Sequence, residues 1–185
     1  MNRDHDQLCA SAEWAEYIAG EIVPWCLSGL TVKGRLLEIG GGFGAATSRL
    51  LSFPVSLTIV EQNAELATAL AERFEAADVR HADGRSTGLP DESFDAAVCF
   101  TMLHHVTPPW AQDEIFAEMF RLLRPGAFYA GTDSLASDRL RDFHVGDTYQ
   151  PVDPDGLGAR LSAAGFTSVE TEVADRIFRF RCFKP

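Results

Sequence analysis

The chain has 185 residues, of which 46% are hydrophobic and 23% are charged, and its formal net charge is −11 at pH 7. This length predicts one domain, spanning residues 1–185, with a core large enough to fold without disulfides. The acidic balance opposes binding to the phosphate backbone of DNA or RNA, so we expect small-molecule partners and no nucleic acid.

Four cysteines are scattered along the chain without a C-x-x-C pair, at Cys9, Cys26, Cys99 and Cys182. This pattern indicates reduced thiols rather than a disulfide framework or a structural zinc site. The polar N-terminus has no apolar stretch of signal-peptide length, and no run approaches the ~20 apolar residues of a membrane span. We therefore predict a cytoplasmic monomer or homodimer without membrane contact.

The first predicted element is an amphipathic helix over residues 10–27, which Pro24 is expected to end or kink. From residue 35 the chain alternates between strands and helices, a pattern that indicates βαβ units and a parallel sheet. The strands are predicted at residues 36–39, 56–61, 78–82, 94–100 and 127–132. The helices that follow the first, second and fourth of them are predicted at residues 45–52, 64–76 and 110–123.

The C-terminal part is predicted to hold a helix opened by Asp153 and Pro154 and closed at Gly165. Two alternating strands follow, at residues 167–173 and 176–183, and only two residues separate them. Such a short connection predicts an antiparallel pair. The fold class is therefore α/β, with a seven-stranded, mostly parallel sheet, and residues 134–152 form a loop before the last helix.

The first strand continues directly into a glycine-rich turn, Gly40 to Gly44, which is followed by helix-forming residues. Glycines let the backbone approach a ligand closely, and a helix start offers unpaired N–H groups to an anionic group. Gly40, Gly42 and Ala45 also satisfy the G-x-G-x-x-G/A dinucleotide fingerprint. From this turn alone, a nucleotide-dependent enzyme and a methyl-donor enzyme are both open.

Two carboxylates end the second and third predicted strands, at Glu61 and Asp83. Ligands of open α/β sheets bind along the carboxyl edge of the strands, where Glu61 could accept hydrogen bonds from both ribose hydroxyls of an adenosine. The alternative is that both are solvated loop acids.

Residues 38–44, Glu-Ile-Gly-Gly-Gly-Phe-Gly, resemble the E-x-G-x-G-x-G pattern of class I S-adenosylmethionine-dependent methyltransferases of the small, type 11 kind. The segments 95–106 and 121–126 resemble the family's fourth strand and its turn into the fifth, so the resemblance extends from residue 36 to 184. It implies a Rossmann-like fold with helices on both sheet faces, methyl transfer to a small molecule, and S-adenosyl-L-methionine as cofactor. The cofactor-binding residues that it implies are Glu38, Gly40, Gly41, Gly42, Gly44, Glu61, Gln62, Asp83, Gly84, Cys99 and Phe100.

Within that resemblance, Glu38 orders the glycine turn and lies near the cofactor's amino group, while Asp83 accepts from the adenine amino group. Cys99 and Phe100 are expected beside the methionine part. The residues alone leave two other functions open: a methyl-donor-binding regulatory or scaffold protein without turnover, or a nucleotide-dependent Rossmann enzyme.

Candidate catalytic residues follow from the chemistry, because methyl transfer from a sulfonium needs alignment and a dry site, and only some acceptors need a base. His105 follows the fourth strand beside His104, and His144 lies in the segment where the family builds substrate contacts. We predict His144 and His105 as catalytic residues, against the alternative that they are structural. No metal site is predicted, because His144 and Asp147 have no third convergent ligand.

The N-terminal helical segment, residues 1–33, is predicted to cover the site. Its Trp14 could attract a sulfonium through a cation–π interaction, although aromatic residues there are more often plain packing.

Overall fold

The computed structural model describes residues 2–185 and contains a seven-stranded sheet with the order β3-β2-β1-β4-β5-β7-β6. The strands are β1 (Gly34–Ile39), β2 (Val55–Glu61), β3 (Asp78–His81), β4 (Phe94–Phe100), β5 (Leu123–Ser134), β6 (Thr167–Ala174) and β7 (Ile177–Phe183). The first five strands pair in parallel, and β7 pairs antiparallel with both β5 and β6. The predicted α/β fold with an antiparallel C-terminal pair is confirmed.

The helices are α1 (Arg3–Cys9), α2 (Ala12–Tyr17), α3 (Val23–Cys26), α4 (Thr47–Leu50), α5 (Ala64–Arg73), α6 (Pro109–Leu122), α7 (Asp138–Phe143) and α8 (Pro154–Ala163). A π-helical turn, Ile18–Ile22, joins α2 to α3, and a 3₁₀ turn, Leu103–His105, follows β4. Within the described part of the chain, none of these helices has the length and apolar character that a bilayer span requires.

Helices cover both faces of the sheet, which gives the protein two apolar layers. Successive side chains of a strand point to opposite faces, so Leu37 packs in the layer with Phe116 of α6, whereas Leu36 packs in the layer with Ile22. Burial on both faces explains why the central strands are almost continuously apolar rather than alternating.

The strand order reverses between β1 and β4, which lie side by side although two strands separate them in sequence. At such a point, the connections leave in opposite directions and open a crevice at the carboxyl ends of the strands. The parallel register pairs Ile39 of β1 with Val60 of β2 and with Cys99 of β4. The glycine turn, the end of β2 and the end of β4 therefore meet at this edge.

The structure differs from the sequence-based prediction in the N-terminal helix and in the loop after β5. Pro24 lacks the N–H that would bond the Gly20 carbonyl, and the helix passes this point through the π-helical turn, in which Val23 donates to the Ile18 carbonyl. Residues 3–9 form α1, which was not predicted, and residues 138–143 of the predicted loop form α7.

Candidate active site

A cleft of about 660 Å³ lies at the carboxyl edge of the sheet, over the reversal in strand order. This volume falls within the range of roughly 300–1,000 Å³ that is typical of small-molecule sites. The predicted cofactor residues that line it are Glu38, Gly40, Gly41, Gly42, Glu61, Gln62, Asp83, Gly84 and Phe100.

The glycine turn forms the floor of this cleft, and its conformation depends on residues without a side chain. Gly40 and Gly42 both have positive φ angles, 74° and 53°. A Cβ on Gly40 would lie 2.3 Å from Cγ of Met102, whereas a Cβ on Gly42 would meet no protein atom within 4 Å. The space above Gly42 is therefore open on the cleft side, so a ligand can approach the backbone there.

Glu38 is buried beneath the glycine turn, only 2% exposed, and accepts a hydrogen bond of 2.8 Å from the Thr47 hydroxyl. Burial raises the pKa of Glu38 to about 8, and the nearby Glu61 carboxylate acts in the same direction. A cationic ligand group beside Glu38 would favour its ionised form, because an opposite charge at short range stabilises a buried carboxylate.

Glu61 is the last residue of β2, and its carboxylate links the glycine turn to the residue that caps α5. Its carboxylate accepts from the Gly42 backbone N–H and from the Asn63 backbone N–H, each at 2.8 Å. An ionised carboxylate offers about four acceptor positions, so these two bonds leave further positions for hydroxyl groups of a ligand.

Asp83 follows β3 and is paired with a residue that the sequence analysis did not assign to the site. Arg85 donates to both carboxylate oxygens of Asp83, with Nε at 3.0 Å from Oδ1 and Nη2 at 2.6 Å from Oδ2, and it also lines the cleft. The hydrogen bonds from Arg85 hold the pKa of Asp83 below its ordinary value. A ligand amino group at Asp83 would share the carboxylate with this guanidinium.

Two predicted cofactor residues do not line the cleft. The Cys99 thiol is fully buried in the core, 3.1 Å from the Tyr129 hydroxyl, and burial raises its pKa to about 12. Side chains alternate along β4, so the next residue, Phe100, lines the cleft instead. Gly44 packs the turn onto α5, where a Cβ would lie 2.5 Å from the Phe74 ring.

The N-terminal helices form one wall of the cleft. Cys9, Trp14 and Ile18 all line it, and Ile18 is 1% exposed. Met1 of the predicted covering segment lies outside the described residues.

Of the two predicted catalytic histidines, one lines the cleft and the other is buried behind the cleft wall. His105 lines the cleft together with Asp147 and Thr148. His144 is 3% exposed and does not line the cleft, because it follows α7 and packs behind the wall. The ring of His144 points into the protein, where its Nδ1 lies 2.7 Å from the Leu140 carbonyl oxygen of α7, and a catalytic role for this residue stays a prediction.

The structure brings four histidines together, a convergence that the sequence did not reveal. His5 packs against His144 and His105, with ring centroids 4.5 and 4.8 Å apart, and His104 lies 4.1 Å from His105. We name His5, His104, His105 and His144 the histidine cluster. His104 and His105 are neighbours in sequence, but His5 and His144 are distant from them, so only the tertiary fold completes the cluster.

Two carboxylates flank the histidine cluster. Asp133 lies 2.6 Å from His104, and its attraction and hydrogen bond raise the pKa of that histidine against the opposing effect of burial. Asp147 lies 2.8 Å from His5, and hydrogen bonds from His5, Thr148 and Asn2 lower its pKa to about 2 although burial acts in the opposite direction. Burial, together with the neighbouring histidines, lowers the pKa of His105 to about 3.

Comparison with known proteins gives a family match over the region that holds most of this site. A family model described as a methyltransferase domain, type 11, matches residues 37–130. A probable S-adenosylmethionine-dependent methyltransferase of Mycolicibacterium smegmatis is 28% identical over 94 residues, which are 51% of this chain and 35% of that protein.

A phosphatidylethanolamine N-methyltransferase of Cereibacter sphaeroides is 29% identical over 112 residues, which cover 57% of this chain and 53% of that protein. The chain thus matches between about a third and about half of the length of these two relatives. Among solved structures, a SAM-dependent methyltransferase from Archaeoglobus fulgidus superposes with a TM-score of 0.79 at 15% identity, covering 98% of each chain. At this identity, the superposition shows a shared fold.

Proposed function

Because the chain belongs to the methyltransferase domain family, whose class I members are S-adenosylmethionine-dependent enzymes with this Rossmann-like fold, we propose that it methylates a small-molecule acceptor in the cleft described above. The observation that carries the proposal is the joint position of the glycine turn and three carboxylates on one cleft. When bound, S-adenosyl-L-methionine supplies an electrophilic methyl group on a sulfonium. The residues of this chain would bind, align and shield the reactants.

The floor of the cleft fits the amino-acid end of such a cofactor. The open space above Gly42 admits a ligand against the backbone, and a substituent there would fill that space. Glu38, a buried carboxylate with a raised pKa, offers a partner to a ligand ammonium group, which would favour its ionisation. We therefore assign the methionine end to the floor between Glu38 and Gly42.

The edge of β2 and β3 fits the adenosine end. Glu61 keeps acceptor positions for the ribose hydroxyls while its two backbone bonds hold the turn in place. Asp83, with Gly84 beside it, is assigned to the adenine amino group. Arg85 fixes the Asp83 carboxylate through two parallel hydrogen bonds, from Nε to Oδ1 and from Nη2 to Oδ2, which preorganises this acceptor before ligand binding.

The acceptor is assigned to the end of the cleft formed by His105, Asp147 and Thr148. His105 is the predicted catalytic residue that lies on this wall, and His144 supports the wall from behind. The net charge of −11 favours a small molecule over a nucleic acid as acceptor.

The remaining features of the proposal concern the chain as a whole. We propose that it works as one domain in which residues 2–33 cover the site, supported by Trp14 and Ile18 on the cleft wall. The four cysteines are unpaired, which supports a reducing, cytoplasmic environment. A monomer and a homodimer are both compatible with this arrangement.

Ligand-induced thermal shift separates the proposal from a nucleotide-dependent enzyme. We expect S-adenosylhomocysteine to raise the midpoint of thermal unfolding and NADH to leave it unchanged. Glu61→Gln should weaken this binding at least tenfold, whereas Glu65→Gln, a matched change on the exposed surface of α5, should not. A shift with NADH and none with S-adenosylhomocysteine would refute the assignment of the cofactor.

Turnover is tested with methyl-labelled S-adenosylmethionine and fractionated metabolites, followed by identification of the labelled product. We expect label in at least one small-molecule fraction. If the protein binds S-adenosylhomocysteine but labels no fraction, the proposal of an enzyme fails and a cofactor-binding regulatory or scaffold role replaces it.

A further inference from the structure

The histidine cluster has a geometry that methyl transfer does not require. It draws one ring from α1, two from the 3₁₀ turn after β4 and one from the end of α7. Each ring offers one nitrogen to a set of atoms that all lie within 4.8 Å of one another. His5, His104 and His144 are between 3% and 5% exposed, and His105 is partly buried.

In every ring of the cluster, Nδ1 lies within hydrogen-bond distance of an acceptor outside the cluster. For His5 and His104 the acceptors are the carboxylates of Asp147 and Asp133, at 2.8 and 2.6 Å. For the other two rings they are backbone carbonyl oxygens, at 2.7 Å for His144 and 3.3 Å for His105. A carbonyl oxygen only accepts, so Nδ1 carries the proton in these two rings, and Nε2 carries a lone pair.

Among the described residues, the Nε2 atoms of the cluster have no hydrogen-bond partners comparable to those of Nδ1. His144 Nε2 is buried and makes no hydrogen bond in the structure. A buried nitrogen left without a partner is unfavourable by about 1–3 kcal/mol. An arrangement in which Nδ1 donates to a carboxylate or carbonyl while Nε2 is free is the one that metal-binding histidines adopt, since the outer partner fixes the tautomer and the ring orientation.

We propose that His5, His104, His105 and His144 bind one divalent transition-metal ion through Nε2, and that Zn²⁺ is the ion whose chemistry fits the cluster. Imidazole is a preferred ligand of Zn²⁺, and four protein ligands give the closed, tetrahedral shell of a structural site. Asp133 and Asp147, which contact His104 and His5 rather than the ion itself, supply two negative charges that balance the charge of the ion.

The size of the cluster is compatible with this coordination after a small contraction. Zn–N bonds of about 2.0–2.1 Å in a tetrahedron place the nitrogens roughly 3.3 Å apart. The widest separation in the cluster, up to 4.8 Å, would then shorten by about 1.5 Å. Rotation of the rings about their side-chain torsions, with small shifts of α1, provides such a movement.

Bound metal would fasten three segments of the cleft wall together. It would link α1 to the turn after β4 and to the end of α7, next to the wall formed by His105, Asp147 and Thr148. The closed shell leaves no coordination position for a substrate, so the role is to hold the N-terminal cover in place. This inference does not depend on the cofactor assignment, and it makes His105 a metal ligand on the acceptor wall rather than a free base.

The test is metal binding to the full chain after treatment with a chelator. We expect one equivalent of Zn²⁺ by calorimetric titration, one equivalent by elemental analysis, and the intense visible d–d absorption of tetrahedral coordination when Co²⁺ is added. His144→Gln should weaken Zn²⁺ binding at least 100-fold and abolish the tetrahedral Co²⁺ spectrum. His81→Gln, a matched change at an exposed histidine outside the cluster, should change neither.

A second variant tests the same proposal if His144→Gln does not fold. Asp133→Asn keeps an acceptor oxygen beside His104 but removes the charge, and it should weaken Zn²⁺ binding by roughly 10–100-fold, with circular dichroism reporting whether the fold is retained. Failure of the wild-type chain to bind Zn²⁺ or Co²⁺ more tightly than about 10⁻⁴ M overturns the proposal. Equal binding by wild type and folded His144→Gln overturns it too. Neither measurement needs S-adenosylmethionine, so this inference and the proposed activity can fail separately.

Discussion

Replacement of Glu38 by glutamine tests the electrostatics of the cleft floor directly. Glutamine keeps the size of the side chain and an oxygen for the 2.8 Å hydrogen bond from Thr47, but it cannot ionise. Glu38 is 2% exposed, and its pKa rises from 4.5 to about 8 mainly through burial. We therefore expect Glu38→Gln to stabilise the ligand-free protein at high pH.

The direction of this pH effect on stability depends on whether the folded or the unfolded chain holds a proton on Glu38. Between pH 4.5 and about 8, the folded protein retains a proton on Glu38 that the unfolded chain has released, so the free energy of unfolding falls as pH rises through this window. At about 1.36 kcal/mol for each pKa unit, the full interval corresponds to roughly 5 kcal/mol as an upper limit. Structural relaxation and water entry reduce this, and we expect a loss of about 2–4 kcal/mol.

The assay is urea unfolding of the ligand-free wild type and of Glu38→Gln at several pH values between 5 and 9. The difference in the free energy of unfolding should be small at pH 5 and should grow in favour of the variant up to about pH 8–9. Glu75→Gln, a change on the exposed surface, is the control and should follow the wild type. Parallel curves for wild type and Glu38→Gln would refute the reasoning, as would a variant that is less stable at every pH.

Three further substitutions probe the cleft and the packing around it. Gly42→Ala should be less stable in urea by about 1–2 kcal/mol, because of the positive φ, and should bind S-adenosylhomocysteine at least tenfold more weakly in calorimetry. An unchanged affinity would contradict the position of the ligand over this residue. Trp14→Ala should weaken the same binding by roughly five- to thirtyfold, whereas Trp110→Ala, at a side chain that is 57% exposed, should have no effect. Glu118→Ala should lower the free energy of unfolding by about 2–4 kcal/mol in urea, since the Thr87 N–H and hydroxyl lose their buried acceptor; a change below about 0.5 kcal/mol would contradict this account.

The elements that the sequence predicts well are those whose signal is local. Strand β4 has the bounds predicted from the sequence, 94–100, because a strand buried on both faces leaves a nearly continuous apolar stretch, here interrupted only by Asp95. The turn of two residues before β7 likewise dictates antiparallel pairing. The positions of Glu38, Glu61 and Asp83 at one edge follow from the parallel register, so their arrival on one cleft could be predicted.

What the sequence does not predict depends on contacts between distant segments. Residues 3–9 lack apolar periodicity, and α1 is held through the Asn2 cap and through His5, whose hydrogen-bond partner Asp147 lies 142 residues away. The convergence of the histidine cluster has the same origin, since no spacing within the chain relates His5 to His144. Arg85 is only two residues from Asp83, so an ion pair between them could have been predicted from the sequence. The position of Arg85 on the cleft wall could not, because it depends on the tertiary fold.

The outer strand β6 has a consequence for how copies of this protein can meet. An exposed sheet edge offers unpaired backbone groups to a further strand, and charged side chains and bulges are the usual protection against it. On β6, Glu170 and Glu172 are exposed and pair across to arginines of β7, and Ser168, with a φ of 50°, lies where the register shifts. Joining two such edges would bring carboxylates of both copies close together. A homodimer is therefore expected not to form by pairing two β6 edges, and to use another surface.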